Sequence, residues 1–191
     1  MNPVYNLSEA VSTLRQGGLI LYPTDTIWGI GCDATDDEAV RKIFALKRRE
    51  VGKSFVLLVD DIEMIRSYVH DIHPRLETLL SFHQRPLTVV YDRARNLAPS
   101  AVANDGSVAM RIPHDELCRQ LVREFGRPIV ATSANVSHEP FPEHFGVVSS
   151  EIIEGVDHVV RYRQFDKTPR QPSPIVKLSD PIHAELIFLR E

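Results

Sequence analysis

Cysteine is scarce in this 191-residue chain: Cys32 and Cys118 form no CxxC pair, which argues against a disulfide framework and against structural zinc. Long apolar runs are also missing. A membrane helix needs about 20 consecutive apolar residues, and no stretch here approaches that length. The N-terminus, MNPVYNLSEA, has neither the basic start nor the apolar core of a secretory signal. Repeats, low-complexity tracts and a clear linker are absent. Nor is there an excess of positive charge: 22 Lys and Arg against 26 Asp and Glu give a net charge of −4, which speaks against a dedicated duplex-DNA binder. What is present, 43% hydrophobic and 25% charged residues, is the composition of a soluble globular protein. The length is enough for a full core, so we expect one domain spanning residues 1–191 in the cytoplasm, with no membrane partner.

The net charge conceals two basic clusters, KRREVGK (47–53) and RYRQFDKTPR (161–170). Either could be a solvated face, and position relative to strands must decide. Asn6-x-x-Glu9 resembles a capping box, followed by Ala10, Val11 and Leu14 at helical spacing. Thr35-x-x-Glu38 opens a second helix with Val40, Ile43 and Phe44 on one face and Lys47 near its end. Further helices are predicted at 62–69, 74–82 and 115–125, the last stopped by Gly126. Strands are predicted at 19–22, 54–59, 87–91, 107–112 and 128–134, with HVVRY, PIVKLS and ELIFLR closing the chain. Interleaved strands and helices give an α/β fold. Its sheet is mixed in direction, because strands follow strands at both ends of the chain.

Open α/β sheets tend to bind ligands beyond strand ends. Two predicted strands run into hydroxyls there: Tyr22-Pro23-Thr24-Asp25-Thr26 and Ala131-Thr132-Ser133-Ala134-Asn135. Thr132 and Ser133 could equally cap the next segment. A third strand carries Arg111 between Met110 and Ile112; an arginine there either snorkels at an edge or meets an anion in a cleft. Several familiar motifs fail. Gly52-Lys53-Ser54 has the tail of a P-loop, but Lys47 stands where its first glycine belongs. Gly29-x-Gly31-x-x-Ala34 fits a loose dinucleotide fingerprint, yet Asp33 within it and Asp36, Asp37 and Glu38 behind it would repel a pyrophosphate. Those glycines read instead as close backbone packing or a sharp turn. Ser133 lacks the G-x-S-x-G context of a hydrolase nucleophile. His70-x-x-His73, followed directly by Pro74, reads as surface or capping histidines. What survives is a set of strand-end hydroxyls, the Asn135 amide and the cations Lys47, Arg49, Lys53 and Arg111. Such a set suits an anionic, hydroxyl-rich ligand such as a nucleoside triphosphate.

These residues also carry a resemblance. YPTDTIWGIGCDA, ALKRREVGKSFVLLV, RPLTVVY, VAMRIP, VATSANVS and QPSPIVKL are similar, in order and over nearly the whole chain, to the motifs of the YrdC/YwlC/YciO family. The resemblance implies a twisted open mixed sheet with flanking helices and a large basic cleft at strand ends. It implies a nucleotidyltransferase that makes threonylcarbamoyl-adenylate from L-threonine, bicarbonate and ATP, with Mg2+ accompanying the ATP and no metal held by the protein itself. The product then serves threonylcarbamoyladenosine modification of tRNA, which binds directly or through a partner transferase complex. By resemblance, Lys47 and Arg49 are the catalytic cations, and Thr24, Arg111 and Thr132 meet L-threonine. Lys47, Arg49, Lys53, Ser133, Asn135 and Ser173 meet ATP. The chain departs from the family pattern at Arg85, His138, Pro174 and Lys177, at RYRQFD where relatives carry an acidic-Gly-Gly loop, and at its closing FLRE. These departures leave Ser173, Arg161 and Arg163 with the least defined roles. The competing expectations are a YciO-type paralogue, a non-catalytic RNA-binding module and a carbamoyl-transfer domain like that of hydrogenase-maturation proteins.

Overall fold

Leu19 to Tyr22 is apolar at every position, and such a strand must be covered on both faces. The computed structural model, which describes residues 5–50, 52, 54–179 and 184–190, covers it in that way. In chain order the elements are α1 (Ser8–Arg15), β1 (Ile20–Tyr22), β2 (Gly29–Gly31), α2 (Asp37–Leu46), β3 (Val56–Leu58), α3 (Ile62–Tyr68), α4 (Pro74–Phe82), β4 (Thr88–Tyr91), β5 (Val108–Arg111), α5 (Glu116–Phe125), β6 (Ile129–Ser133), α6 (Ser150–Glu154), β7 (His158–Val159), β8 (Ile175–Leu178) and β9 (Leu186–Arg190). The nine strands form one sheet in the order β7-β1-β2-β6-β3-β5-β4-β8-β9. The pairs β1/β7, β3/β5 and β4/β8 are parallel, and the other neighbours are antiparallel.

Side chains alternate across each strand, and the core divides accordingly. Leu19, Leu21, Ile30, Leu57 and Val130 pack with the apolar sides of α2, α3 and α4. Ile20, Tyr22, Leu58 and Ile129 pack with α1 and α5 on the opposite face. Helices therefore flank a mixed sheet on both sides, as the strand and helix pattern requires.

Two elements were not anticipated from sequence, β2 and α6. β2 is the glycine pair itself. A Cβ on Gly31 would lie 2.8 Å from both the Tyr22 ring and the Val130 carbonyl oxygen. The glycines thus serve close packing within the sheet and make no sharp turn. Both expected N-terminal caps shift by one residue. Leu7, not Asn6, occupies the N-cap of α1, and Asn6 Oδ1 accepts from the Ser8 hydroxyl at 2.8 Å. At α2 the Thr35 hydroxyl is already spent on Asp33 Oδ1 at 2.7 Å, and Asp36 accepts from the amides of Glu38 and Ala39 instead. His73 does cap α4, accepting from the Arg75 amide at 3.1 Å. Among the described residues, no helix is long and apolar enough to cross a membrane.

Candidate active site

The register of the sheet places the site. Tyr22 pairs with Gly29 and Gly29 with Ser133; Val56 pairs with both Ala131 and Ala109; Thr88 pairs with Ile175. Opposed residues share a face, as do residues two apart. Gly29, Ser133, Ala131, Val56, Arg111 and Ile175 therefore all point to the face that carries α1 and α5. The neighbouring positions on that face, Ile20, Leu58 and Ile129, are taken by the helices; these six floor a cleft of about 250 Å3. Small residues at Gly29 and Ala131 give it depth. The strand-end hydroxyls of Thr24, Thr26 and Ser133 form its rim, so the cleft starts at strand ends and extends over the sheet face. A second hollow of about 240 Å3, lined by Lys47, Glu50, Asn135, Ser137 and His138, opens from it and shares Arg49 and Ser133.

The cations differ in how they are held. Lys47 follows α2 as its C-cap, is 2% exposed, and donates through Nζ to the carbonyls of Ser133 and Asn135. Two of its three ammonium protons thus brace the turn after β6. Burial, and secondarily the charge of Arg49, bring its pKa down to about 8. Arg49 lies over the Phe55 ring, 4.8 Å from its centroid, and donates to the Ser54 carbonyl. Its Nε is buried with no hydrogen-bond partner among the described residues, and desolvation lowers its pKa. Arg111 is 3% exposed, ion-paired with Asp25, and donates weakly to the Thr26 hydroxyl at 3.4 Å. It meets a carboxylate from its own chain and does not snorkel.

The hydroxyls are also unequal. Thr24 Oγ1 donates to the Ile27 carbonyl at 2.8 Å and accepts the Thr26 amide at 3.0 Å. Its contact with Thr26 Oγ1 at 2.9 Å then has Thr26 as donor, and the Thr24 hydroxyl is saturated. Thr132 is buried and lines the cleft. The Ser173 hydroxyl shares a 2.8 Å bond with Thr88 at the cleft wall.

The cleft thus gathers Thr24, Arg49, Arg111, Thr132, Ser133 and Ser173; Lys47 and Asn135 line the adjoining hollow, and Lys53 lies outside the described residues. Sequence reasoning placed Thr26 among the strand-end hydroxyls without giving it a role of its own, gave Asp25 none, and missed Arg190. Arg190 ends β9, lines the cleft, and donates from Nε and Nη2 to the Ser173 carbonyl at 3.0 and 2.7 Å. Desolvation and then Arg111 lower its pKa. The signal resembled the one used for Arg111, a cation on an apolar strand, except that Arg190 closes its strand where Arg111 lies between two apolar residues. Of the departures from the family pattern, His138 lines the hollow beside Lys47. Arg85 and Pro174 line a mostly apolar hollow that meets the cleft at Thr26, Pro172 and Ser173. Lys177, on β8, lines neither the cleft nor the adjoining hollow.

Comparison with known proteins bears on the family and the fold. A protein of Saccharophagus degradans named threonylcarbamoyl-AMP synthase is 37% identical over 133 residues, covering 69% of this chain and 70% of its own. The H234A/Y235A variant of P. abyssi Sua5 superposes with a TM-score of 0.84 at 25% identity, over 96% of this chain. P. abyssi Sua5 complexed with L-threonine gives 0.81 at 24%, also over 96%. The chain spans about half the length of these Sua5 proteins, 55% and 53%. The family model Sua5_yciO_yrdC, described as "Telomere recombination", matches residues 12–191, and the chain belongs to that Sua5/YciO/YrdC family.

Proposed function

We propose that this chain is a threonylcarbamoyl-AMP synthase, a nucleotidyltransferase that joins L-threonine, bicarbonate and ATP and releases pyrophosphate. The observation that carries this reading is the charge balance of the cleft. Arg49, Arg111 and Arg190 line it together, and among the described residues no carboxylate does; Asp25, paired with Arg111, and Glu50, in the adjoining hollow, lie at its edges. The Arg49 Nε, without a partner among the described residues, adds a buried donor. Like charges held together with so little neutralisation favour polyanions. The names of the relatives and the L-threonine in the Sua5 structure supply the substrates.

In this reaction the neutral amine of L-threonine takes up CO2 from bicarbonate to form a carbamate, the amine proton leaving with the bicarbonate hydroxyl as water. A carbamate oxygen then attacks the α-phosphorus of ATP as the bond to pyrophosphate breaks. Negative charge grows on phosphoryl oxygens, so fixed cations and positioning supply most of the rate enhancement, and the chemistry asks little of an acid or base. Arg49, with Lys47 from the same segment, faces the triphosphate, with Ser133, Asn135 and Ser173 on the nucleotide; Lys53 is assigned to ATP by the family resemblance alone. Arg111 keeps one edge on Asp25 and offers the other to the substrate carboxylate or carbamate. Because the Thr24 hydroxyl is saturated, Thr24 shapes the loop that holds L-threonine, beside Thr132. The Thr26 hydroxyl has a remaining lone pair for the substrate.

Mg2+ fits this donor set as a companion of ATP. Cations, hydroxyls and one amide make a poor metal cage but a good cradle for phosphate oxygens that carry the ion themselves. Among the described residues, no cluster of three His, Cys, Asp or Glu side chains could hold a metal. Transfer of the threonylcarbamoyl group to tRNA, directly or through a partner transferase, is the step that consumes the product.

The test is pyrophosphate release from ATP, Mg2+, bicarbonate and L-threonine, with each component omitted in turn. Release that needs both threonine and bicarbonate supports the reading. ATP-independent, salt-sensitive RNA binding without release would replace it with an RNA-binding module.

A further inference from the structure

Arg163 lies in the loop where family members carry an acidic-Gly-Gly sequence, and it is pinned from several directions. Its backbone is left-handed, at φ 55°, a conformation that a residue other than glycine keeps only where its surroundings impose it. Nη2 pairs with Asp115 Oδ2, and the two side chains are 22% and 7% exposed. Nη1 donates to the carbonyl of Thr24 at 3.4 Å. The guanidinium also lies 5.4 Å from the Tyr162 ring centroid.

Asp115 is itself anchored, because its Oδ1 accepts the Cys118 amide at 3.1 Å and caps α5. The adjacent His114 amide donates to Asp25 Oδ2 at 2.9 Å, and Asp25 is the partner of Arg111. The loop Pro23–Thr26 is therefore clamped from both sides. Arg111 holds Asp25 from inside the cleft, and Arg163 holds the Thr24 carbonyl from outside. Both clamps are referred to the same point, the start of α5.

We propose that Arg163, with Asp115, is a positioning residue that fixes this loop, and so sets Thr26 and Arg111 for the amino-acid substrate. The kinetic part of this inference rests on the function proposed above; the structural part does not. Losing Arg163 leaves the α5 cap intact, since Asp115 still accepts the Cys118 amide, so the fold should tolerate the change.

The experiment compares wild type, R163A, R163K and D115N by amide hydrogen exchange and by steady-state kinetics. The expected result is faster exchange at residues 24–27 in R163A and D115N, with strand β3 unchanged. R163A should raise KM for L-threonine about tenfold with KM for ATP unaltered, and R163K should recover part of that loss. D115N keeps a capping oxygen and serves if R163A does not fold. Unaltered exchange at 24–27 in both variants would overturn the proposal, as would an equal rise in both KM values. A wild type that releases no pyrophosphate would overturn the synthase reading alone, and the exchange measurement would still decide this one.

Discussion

Lys47 and Arg49 are two positions apart in sequence but are held in different ways. Lys47 is almost wholly buried and its ammonium braces two carbonyls; Arg49 is half-buried, with one donor unmatched among the described residues. Removing Arg49 by substitution to Ala should lower the rate of pyrophosphate release about a hundredfold while the melting temperature stays near wild type. Lys47→Ala should lose both activity and stability. Two carbonyls left without their donor cost about 1–3 kcal/mol, to be read by urea unfolding. The two effects of pH on Lys47 run in opposite directions. Its pKa falls from 10.5 to about 8 on folding, so the unfolded chain binds more protons between those values. Stability from this group therefore rises as pH climbs through that window. If the Lys47 charge acts on ATP as proposed, it is lost over the same range, so kcat/KM for ATP should fall above pH about 8. Lys47→Met should abolish the rise in stability, and an unaltered pH–stability slope in that variant would refute the assignment.

At the scale of elements, the sequence located most helices and strands to within a few residues, because apolar periodicity follows from burial on one helical face or two strand faces. Helix starts were less legible. Asn6, Thr35 and Asp36 are all good capping residues, and which of them caps depends on competing bonds such as Thr35 to Asp33. β2 was missed because two of its three residues are glycine, which carries no strand propensity. The Tyr22 ring and the Val130 carbonyl crowding Gly31 explain the choice. Gly31→Ala should cost about 1–3 kcal/mol by overpacking, since its methyl would meet the Tyr22 ring and the Val130 carbonyl at 2.8 Å. Chemical denaturation reads this directly, and a variant as stable as wild type would show that the strand can shift.

For the molecule as a whole, ligands that bind the folded chain alone must stabilise it. ATP at 100 times its dissociation constant should add about 2.7 kcal/mol, seen as a rise in melting temperature, with a further rise when L-threonine and bicarbonate are added together. No shift with any of them would remove the cleft as their site. The sequence by itself determined the α/β class, the two-faced burial of the strands, and which loops carry hydroxyls and cations. These properties are local: they depend on residue type and spacing along a few turns or strands. It also carried the family, through motifs spread over most of the chain. Tertiary structure decided the rest. Arg190 enters the cleft because β9 pairs with β8 at the end of the sheet. Asp25 is committed to Arg111, and Arg163 to Asp115 and Thr24, through pairings 86, 48 and 139 residues apart in sequence. Which cation is spent on its own chain and which is left for a ligand is a property of such distant pairings, and no local pattern encodes it.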